Sequence, residues 1–169
     1  MSNLIKGKIV LEGGSAMSFE LYPDVAPKSV ANFVKLAESG FYDGLTFHRI
    51  VEHYVMQGGD PNGDGSGNSG TFVTGEFYNN GWDNPLPHLR GAVSMAREGG
   101  FNTGSCQFFI VHQDATEHLD GDYACFGYVT EGMDIVDKIC AEATPMDSNG
   151  LIMVEQRPRI QTIKVEPIE

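Results

Sequence analysis

Short apolar runs separated by Gly, Asn, Asp and Pro fill the middle of the sequence, from Phe41 to Phe126. Runs of this kind, bounded by turn residues, are typical of β-strands. The 21 glycines of the chain agree with a fold that has many turns. The region therefore predicts five strands, which are Thr46–Val51, Val55–Gly58, Ala92–Ala96, Gln107–His112 and Ala124–Val129.

The flanking segments add a hairpin, two helices and a closing strand. Lys8–Glu12 and Met17–Tyr22 alternate in polarity on either side of a Gly-Gly-Ser turn, and Ile160–Pro167 alternates in the same way. Apolar residues recur at helical spacing within Pro27–Ser39 and Gly132–Ala141. The pattern predicts a mainly β, antiparallel architecture, in which a closed barrel would remove the exposed edges and the helices would cover its open ends.

Length and charge limit the function classes. A chain of 169 residues without a linker or a repeat predicts one domain over residues 1–169. The formal net charge of −12 argues against a nucleic-acid partner, whose phosphates bind Lys and Arg, and against an anionic membrane surface. The N-terminus has no apolar segment like that of a signal peptide, and no apolar run is long enough to span a membrane, so we expect a cytoplasmic protein.

No pattern of metal ligands or nucleophiles stands out. Cys106, Cys125 and Cys140 are scattered and form no CxxC pair, which disfavours a disulfide framework or a zinc site. None of the five histidines lies in an HExxH motif, and Gly104-Ser105-Cys106 is not a nucleophile elbow. We therefore predict no metal and no cofactor.

A calcium loop is one alternative that the residues suggest. Asp60, Asn62 and Asp64, followed by Gly65, match the start of an EF-hand loop. The twelfth position of such a loop needs a bidentate Glu, and here it is Thr71. No helix pattern flanks the segment, so a glycine-rich loop is the interpretation that we favour.

Arg49 is an unusual residue for an apolar strand. It lies among Phe, Ile and Val residues, and Gln57 and Gln107 are likewise polar residues within apolar runs. Strand alternation would place Phe47 and Val51 on the same face as Arg49. From these residues alone, Arg49 either pairs with a carboxylate at the surface or serves a functional site.

Five segments together resemble the cyclophilin family of peptidyl-prolyl cis-trans isomerases. They are FHRIVEHYVMQGGD, GDGSG, GAVSMAR, SCQFFIV and HLDGDYACFGYVTEGMDIVDKI. They follow the order and spacing of the family, and the resemblance covers nearly the whole chain. It implies eight antiparallel strands closed into a barrel and capped by two α-helices, with a shallow groove on the outside of the barrel that holds an X-Pro segment.

The resemblance also assigns roles to individual residues. Arg49 would be the catalytic arginine, and Gln57 would orient it and contact the substrate backbone. The groove would be formed by Tyr54, Val55, Phe109 and Leu119 lining the proline pocket, by Ala96 and Arg97 bordering the substrate chain, and by Gly65 and Gln107 flanking the neighbouring subsite.

Four positions of the expected groove depart from the commonest family pattern. Tyr54 stands where phenylalanine is usual, Val55 where methionine is usual, and Tyr123 where histidine is familiar. His118 replaces a tryptophan that helps to hold cyclosporin in the family, and the lone Trp82 is expected to lie outside the groove. We expect His118 and Tyr123 to contact the substrate. Because the tryptophan is absent at position 118, we also expect cyclosporin binding to be weak.

The implied reaction needs no cofactor. Isomerisation of an X-Pro bond breaks no σ-bond, so an arginine that stabilises the twisted amide is sufficient chemistry. The expected partners are X-Pro-containing peptides and unfolded or folded protein clients, and we expect a monomer. A proline-binding module or holding chaperone with low turnover is the alternative.

Overall fold

Eight antiparallel strands form one continuous sheet in the computed structural model, which describes residues 3–166. The strand order is β3-β4-β6-β5-β7-β2-β1-β8. The strands are β1 (Ile5–Leu11), β2 (Ala16–Leu21), β3 (Arg49–Val51), β4 (Val55–Gly58), β5 (Ala92–Met95), β6 (Phe108–Val111), β7 (Cys125–Glu131) and β8 (Ile160–Val165). Residues 1–2 and 167–169, which belong to the predicted single domain over 1–169, lie outside the described residues, and so does Pro167 of the predicted closing strand.

Within residues 3–166, three α-helices accompany the sheet: α1 (Pro27–Glu38), α2 (Thr116–Leu119) and α3 (Met133–Glu142). The two predicted helices are confirmed as α1 and α3. Helix α2 was not predicted, because a single turn is too short to show helical periodicity. No helix within residues 3–166 has the length and apolar character to cross a bilayer.

The predicted fold is confirmed, but the barrel is not closed by a complete strand ladder. The end strands β3 and β8 meet only through irregular backbone. The amide of Ile160 donates to the Leu45 carbonyl (2.7 Å), that of Phe47 donates to the Pro158 carbonyl (2.9 Å), and a single bridge joins Thr46 to Arg159. We call this junction of residues 44–47 with 158–160 the seam.

The two faces of the sheet bury separate apolar clusters. Inside the curled sheet, Phe33 from α1 packs with ring-centroid distances of 5.3 to 5.8 Å against Phe19, Tyr42, Phe108 and Phe126. A second buried cluster covers the outer face above β4, β5 and β6; it contains Val55, Ala92, Ala96, Phe109, Val111, Ala115, Leu119 and Cys125. The functional candidates lie on this outer face.

Strand register brings three of these candidates into one row. Arg49 on β3 pairs with Gln57 on β4, and Gln57 pairs with Phe109 on β6. Residues that pair across neighbouring strands point to the same face. The prediction that Phe47 shares this face is wrong, because regular strand geometry begins only at Arg49 and Phe47 packs in the interior with Ile50.

Helix α1 is anchored at its N-terminus by a distant carboxylate. Glu76 is completely buried and accepts hydrogen bonds from the Lys28 amide (3.1 Å), the Ser29 amide (2.7 Å) and the Ser29 hydroxyl (2.8 Å). The residue before the helix, Ala26, offers no side-chain cap. Glu76 therefore satisfies the free amides of the first turn and places a negative charge at the positive end of the helix dipole.

Candidate functional site

A cavity of about 170 Å³ opens on the outer face, beside the row formed by Arg49, Gln57 and Phe109. Its lining contains nine of the predicted site residues, namely Arg49, Tyr54, Val55, Gln57, Ala96, Arg97, Phe109, Leu119 and Tyr123. Strands β3, β4 and β6, the chain that leaves β5, and α2 all contribute to it. Rigid elements thus hold a small cavity whose wall combines aliphatic and aromatic side chains with two guanidinium groups and an amide.

Two neutral groups fix the guanidinium of Arg49. Its Nε–H donates to the main-chain carbonyl of Asn149 at 2.6 Å, and its Nη1 donates to Oε1 of Gln57 at 3.1 Å. Among residues 3–166, neither a carboxylate partner nor a hydrogen bond from Nη2 is present. The interpretation of Arg49 as a surface ion-pair residue is therefore wrong, and the Nη2 donors are available to a ligand.

A chain of amides supports this arginine. Nε2 of Gln57 donates to Oε1 of Gln107 at 3.0 Å, and Nε2 of Gln107 donates to the carbonyls of Gly65 and Gly67, both at 3.0 Å. Each amide therefore has its oxygen turned towards Arg49 and its nitrogen turned towards the glycine-rich loop. This polarity fixes which end of Gln57 faces the guanidinium.

A second cavity, of about 110 Å³, adjoins the first and shares Gln57, Ala96 and Arg97 with it. Gly65 and Gln107 line this second cavity, as expected for a neighbouring subsite. An extended peptide whose proline ring occupies the first cavity could place a neighbouring side chain in the second.

Arg97 differs from Arg49 because aromatic rings surround its guanidinium. Its Nε donates to the Asp122 carbonyl (2.8 Å) and its Nη1 to the Glu98 carbonyl (2.8 Å). Its guanidinium carbon also lies 4.8 to 5.2 Å from three ring centroids, those of Phe77, Phe101 and Tyr123. Arg97 thus braces the border of the groove.

Aromatic rings form the walls of the first cavity. Tyr123 meets Phe109 edge-to-face at 5.7 Å between ring centroids. Burial, reinforced by Tyr123, raises the pKa of the Tyr54 phenol, although Arg49 acts in the opposite direction. The raised pKa favours the neutral phenol of Tyr54, and Tyr54 and Val55 contribute a ring and an aliphatic side chain to the wall despite their departure from the family pattern.

His118 lies at the edge of the cavity rather than within it. It is exposed, and its ring makes an edge-to-face contact with Tyr54 at 6.3 Å. Trp82 is outside both cavities, and its indole N–H donates to the Val25 carbonyl at 2.8 Å. The indole therefore cannot substitute for the tryptophan that is absent at position 118.

The acidic start of the glycine-rich loop organises the loop itself. Asp60 is buried, and its carboxylate accepts hydrogen bonds from the amides of Asn62 (2.8 Å), Asp64 (3.1 Å) and Gly65. Its oxygens face the backbone of the loop instead of a common centre with Asn62 and Asp64. No cluster of three potential metal ligands occurs within residues 3–166.

Three contributors to the site were not predicted. Asn149 supplies only its carbonyl, and the adjacent Gly150 (φ +88°) allows close approach, since a β-carbon there would lie 2.6 Å from the Ile50 carbonyl. His88 is buried and stacks beneath Phe109 at 6.2 Å. The Asn149-Gly150 turn is visible in the sequence, but nothing in the sequence indicates that it reaches Arg49.

A larger cleft of about 680 Å³ lies elsewhere, between α3 and the segment that precedes β8. It contains none of the predicted site residues. The smaller cavity beside Arg49 is the better candidate, because it combines apolar walls with a directed donor and a supporting hydrogen-bond network.

The chemistry available at this site is binding and electrostatic stabilisation. The nearby thiol of Cys106 is not a nucleophile, since burial raises its pKa to about 11. What remains is an apolar recess for a small ring, a cationic donor beside it and polar groups along a groove. Such a site can hold a peptide and stabilise charge that develops at one atom.

Comparisons with known proteins agree with this geometry. The family model of cyclophilin type peptidyl-prolyl cis-trans isomerases matches residues 8–165. Peptidyl-prolyl cis-trans isomerase B of Bacillus subtilis is 46% identical over 151 residues, which are 89% of this chain and 96% of that protein. The crystal structure of a cyclophilin type peptidyl-prolyl cis-trans isomerase of Cryptosporidium parvum is similar, with a TM-score of 0.83, 29% identity and coverage of 97% and 98% of the two chains. A second structure of that protein, in the presence of the dipeptide Ala-Pro, has a TM-score of 0.82, with 28% identity over 96% of this chain and 99% of that one.

Proposed function

The chain belongs to the cyclophilin-type peptidyl-prolyl cis-trans isomerase family and is such an isomerase, and we propose that Arg49 is its main catalytic group. The observation that carries this proposal is the state of the guanidinium. Neutral acceptors hold two of its nitrogens, its Nη2 donors have no protein partner within residues 3–166, and it lines a cavity together with Val55, Phe109 and Leu119.

The barrier that such an enzyme must lower comes from amide resonance. Rotation about an X-Pro bond costs ~18–20 kcal/mol because the C–N bond has partial double-bond character. In the twisted transition state, resonance is lost and the proline nitrogen becomes pyramidal with a localised lone pair. A donor directed at this nitrogen binds the transition state more tightly than the planar ground state, which is the requirement for catalysis.

Arg49 meets this requirement with a permanent charge and fixed geometry. A guanidinium stays protonated throughout the physiological pH range and presents its donors in a rigid plane. The Asn149 carbonyl and Gln57 orient it without neutralising it. A carboxylate in either place would compete with the substrate nitrogen for the same donors.

The substrate pose follows from the two cavities. We place the proline ring against Phe109, Val55 and Leu119 in the first cavity, where Tyr54 and Tyr123 enclose it. The residues before proline would run along Ala96 and Arg97 towards Gly65 and Gln107. The related Cryptosporidium structure was obtained in the presence of the dipeptide Ala-Pro, which agrees with an X-Pro segment as the ligand of this groove.

Exchange NMR on a short X-Pro peptide tests the function directly. We expect catalytic amounts of the protein to raise cis–trans exchange far above the uncatalysed rate, which corresponds to tens to hundreds of seconds or so. Binding of the peptide without faster exchange would contradict the proposed catalysis and would favour the alternative of a proline-binding module or holding chaperone.

The role of Gln57 leads to a prediction for the isosteric change Gln57→Glu. The carboxylate would pair with Arg49, and it would also face Oε1 of Gln107, which now accepts a hydrogen bond at 3.0 Å. Gln107 would have to turn its amide round and give up its bonds to the loop carbonyls. We expect kcat/KM to fall by roughly ten- to a hundredfold, which corresponds to about 1.4–2.8 kcal/mol, the size of one hydrogen bond to a charged group. Gln57→Met is the matched control. A smaller loss of kcat/KM in the Gln57→Glu variant than in the Gln57→Met variant would contradict this prediction.

A further prediction concerns cyclosporin. The exposed imidazole of His118 offers little apolar area, so we expect weak binding by the wild-type protein. His118→Trp should tighten binding by about tenfold or more, since buried tryptophans are frequent affinity hot spots. Titration calorimetry measures the change, with His118→Ala as the control. Equal affinity in the Trp and Ala variants would show that position 118 does not contact the ligand.

The wider setting is also a proposal. We propose X-Pro segments of unfolded or folded proteins as clients, one domain, a monomeric state and a cytoplasmic location. The three cysteines are free and buried, which suits a reducing compartment.

A further inference from the structure

His112 follows β6 and joins three elements behind the candidate groove. Its side chain is only 7% exposed. Its Nδ1 accepts the backbone amide of His53 at 2.8 Å, and its Nε2 lies 3.0 Å from Oδ1 of Asp137 on α3. Its own amide donates to the Tyr54 carbonyl at 2.8 Å. One residue therefore ties α3 and β6 to the turn between β3 and β4.

These contacts assign the position of the imidazole proton. A backbone N–H can only donate, so Nδ1 of His112 carries no proton. The proton is on Nε2, which donates to Asp137. Protonation of Nδ1 would set two N–H donors against each other at 2.8 Å, and the hydrogen bond to the turn would be lost.

The carboxylate that faces the ring is shared with an arginine. Asp137 already binds Arg90 through two hydrogen bonds of 2.6 and 2.7 Å, and Arg90 also donates to the His112 carbonyl (3.1 Å). The His53 ring stacks on His112 at 5.7 Å, with Glu52 3.9 Å from His53 on the solvent side.

Two further ionisable groups, Asp114 and Cys140, lie near Arg90 and Asp137. Asp114 accepts the Arg90 amide at 2.8 Å. The buried Cys140 thiol stays neutral, because burial raises its pKa to about 12.

The anchored turn carries part of the groove. Tyr54, which directly follows His53, lines the proline cavity, as does Val55. His53 has a left-handed backbone (φ +70°), a conformation that a residue other than glycine rarely adopts unless its surroundings hold it. The bond from its amide to His112 supplies such a constraint.

We propose that His112 is a positioning residue for the proline pocket, and that its protonation releases the turn and lowers isomerase activity in acid. This inference rests on the proposed function. Histidine is the residue type whose charge ordinarily changes between pH 5 and 8. Activity that depends on the neutral ring is present at higher pH and is lost as pH falls. Because protonation breaks one hydrogen bond, that from the His53 amide, the expected loss in kcat/KM is about fivefold.

Two matched variants separate the two nitrogens of the ring. In His112→Asn, Oδ1 replaces Nδ1 as the acceptor for the His53 amide and cannot be protonated. In His112→Gln, the amide reaches Asp137 but provides no acceptor at the δ position. We expect kcat/KM of the Asn variant, normalised to its own value at pH 8, to lack the acid decline. The Gln variant should be low and independent of pH.

Exchange NMR at pH 5.5 to 8 measures these profiles without a coupled protease. His53→Asn removes the stacked ring, keeps the backbone amide and tolerates positive φ, so it should retain the acid decline. An acid decline in His112→Asn equal to that of the wild type would overturn the proposal, and would point to His118 or another imidazole.

Imidazole ¹⁵N shifts test the anchor independently of activity. We expect them to place the His112 proton on Nε2 at pH 7.5, and the His53 amide resonance to shift as His112 is protonated. A proton on Nδ1 at pH 7.5 would refute the anchor. If the wild-type protein does not accelerate cis–trans exchange at any pH, the proposed function is wrong. The ¹⁵N shifts would still show whether Nδ1 of His112 accepts the hydrogen bond from the His53 amide.

Discussion

Replacing Arg49 with Ala is expected to reduce kcat/KM for a proline peptide by about a hundred- to a thousandfold, the loss typical of removing one directed transition-state donor. The fold should persist, because Arg49 is only partly buried and its two partners are a carbonyl near the surface and an amide that keeps its contact with Gln107. Exchange NMR measures the rate, and near-ultraviolet circular dichroism checks the packing.

Two further variants make this test specific. Arg49→Lys keeps the charge but has one nitrogen, which cannot occupy the Nε, Nη1 and Nη2 positions of the guanidinium at once, so we expect most of the loss to remain. Arg159→Ala removes one cation at the seam, where Arg159 binds the Gly44 carbonyl, and should leave kcat/KM near the wild-type value. A folded Arg49→Ala variant with wild-type activity would refute the assignment.

The largest expected effect on stability comes from Glu76→Ala. The change leaves two amides and one hydroxyl without their acceptor in a buried site, and it removes the negative charge at the start of α1. We expect the free energy of unfolding to fall by about 3 kcal/mol. For a chain of this size, that corresponds to a decrease in Tm of about 10 °C.

Urea denaturation with an unchanged m-value measures the cost of this substitution. Glu76→Gln retains an acceptor oxygen and should lose less, about 1–2 kcal/mol. Glu38→Ala, at the exposed C-terminal end of the same helix, is the matched control and should be nearly neutral. A Glu76→Ala variant within 0.5 kcal/mol or so of the wild type would show that the first turn of α1 does not need this cap.

The sequence predicts those features whose determinants are local. The strands around Arg49 and Gln57 follow from short apolar runs between turn residues, and α1 and α3 follow from helical periodicity. The motif order is sufficient to propose the groove residues, and the described structure brings nine of them to one cavity. Their catalytic and binding roles stay predictions.

The features that the sequence does not predict depend on contacts between distant segments. Nothing in the sequence distinguishes Glu76 from the other acidic residues, and only the fold brings it to Ser29. Likewise, Asn149 contacts Arg49 although 100 positions separate them in the chain. Phe47 was placed on the wrong face because alternation was extended beyond the start of β3. Such errors arise where the backbone departs from a regular strand.

The seam has a consequence for a protein that handles other chains. An exposed edge strand is a template on which an unfolded polypeptide can add itself. Here the outer edge of β3 is taken by the 149–151 turn, with the Ile50 amide bound to the Gly150 carbonyl (2.8 Å), and the first residue of β8, Ile160, is bonded to residues 44 and 45. The backbone groups of β3 and of the first residue of β8 are therefore already paired, and we expect an extended client to find its polar partners along the open groove instead.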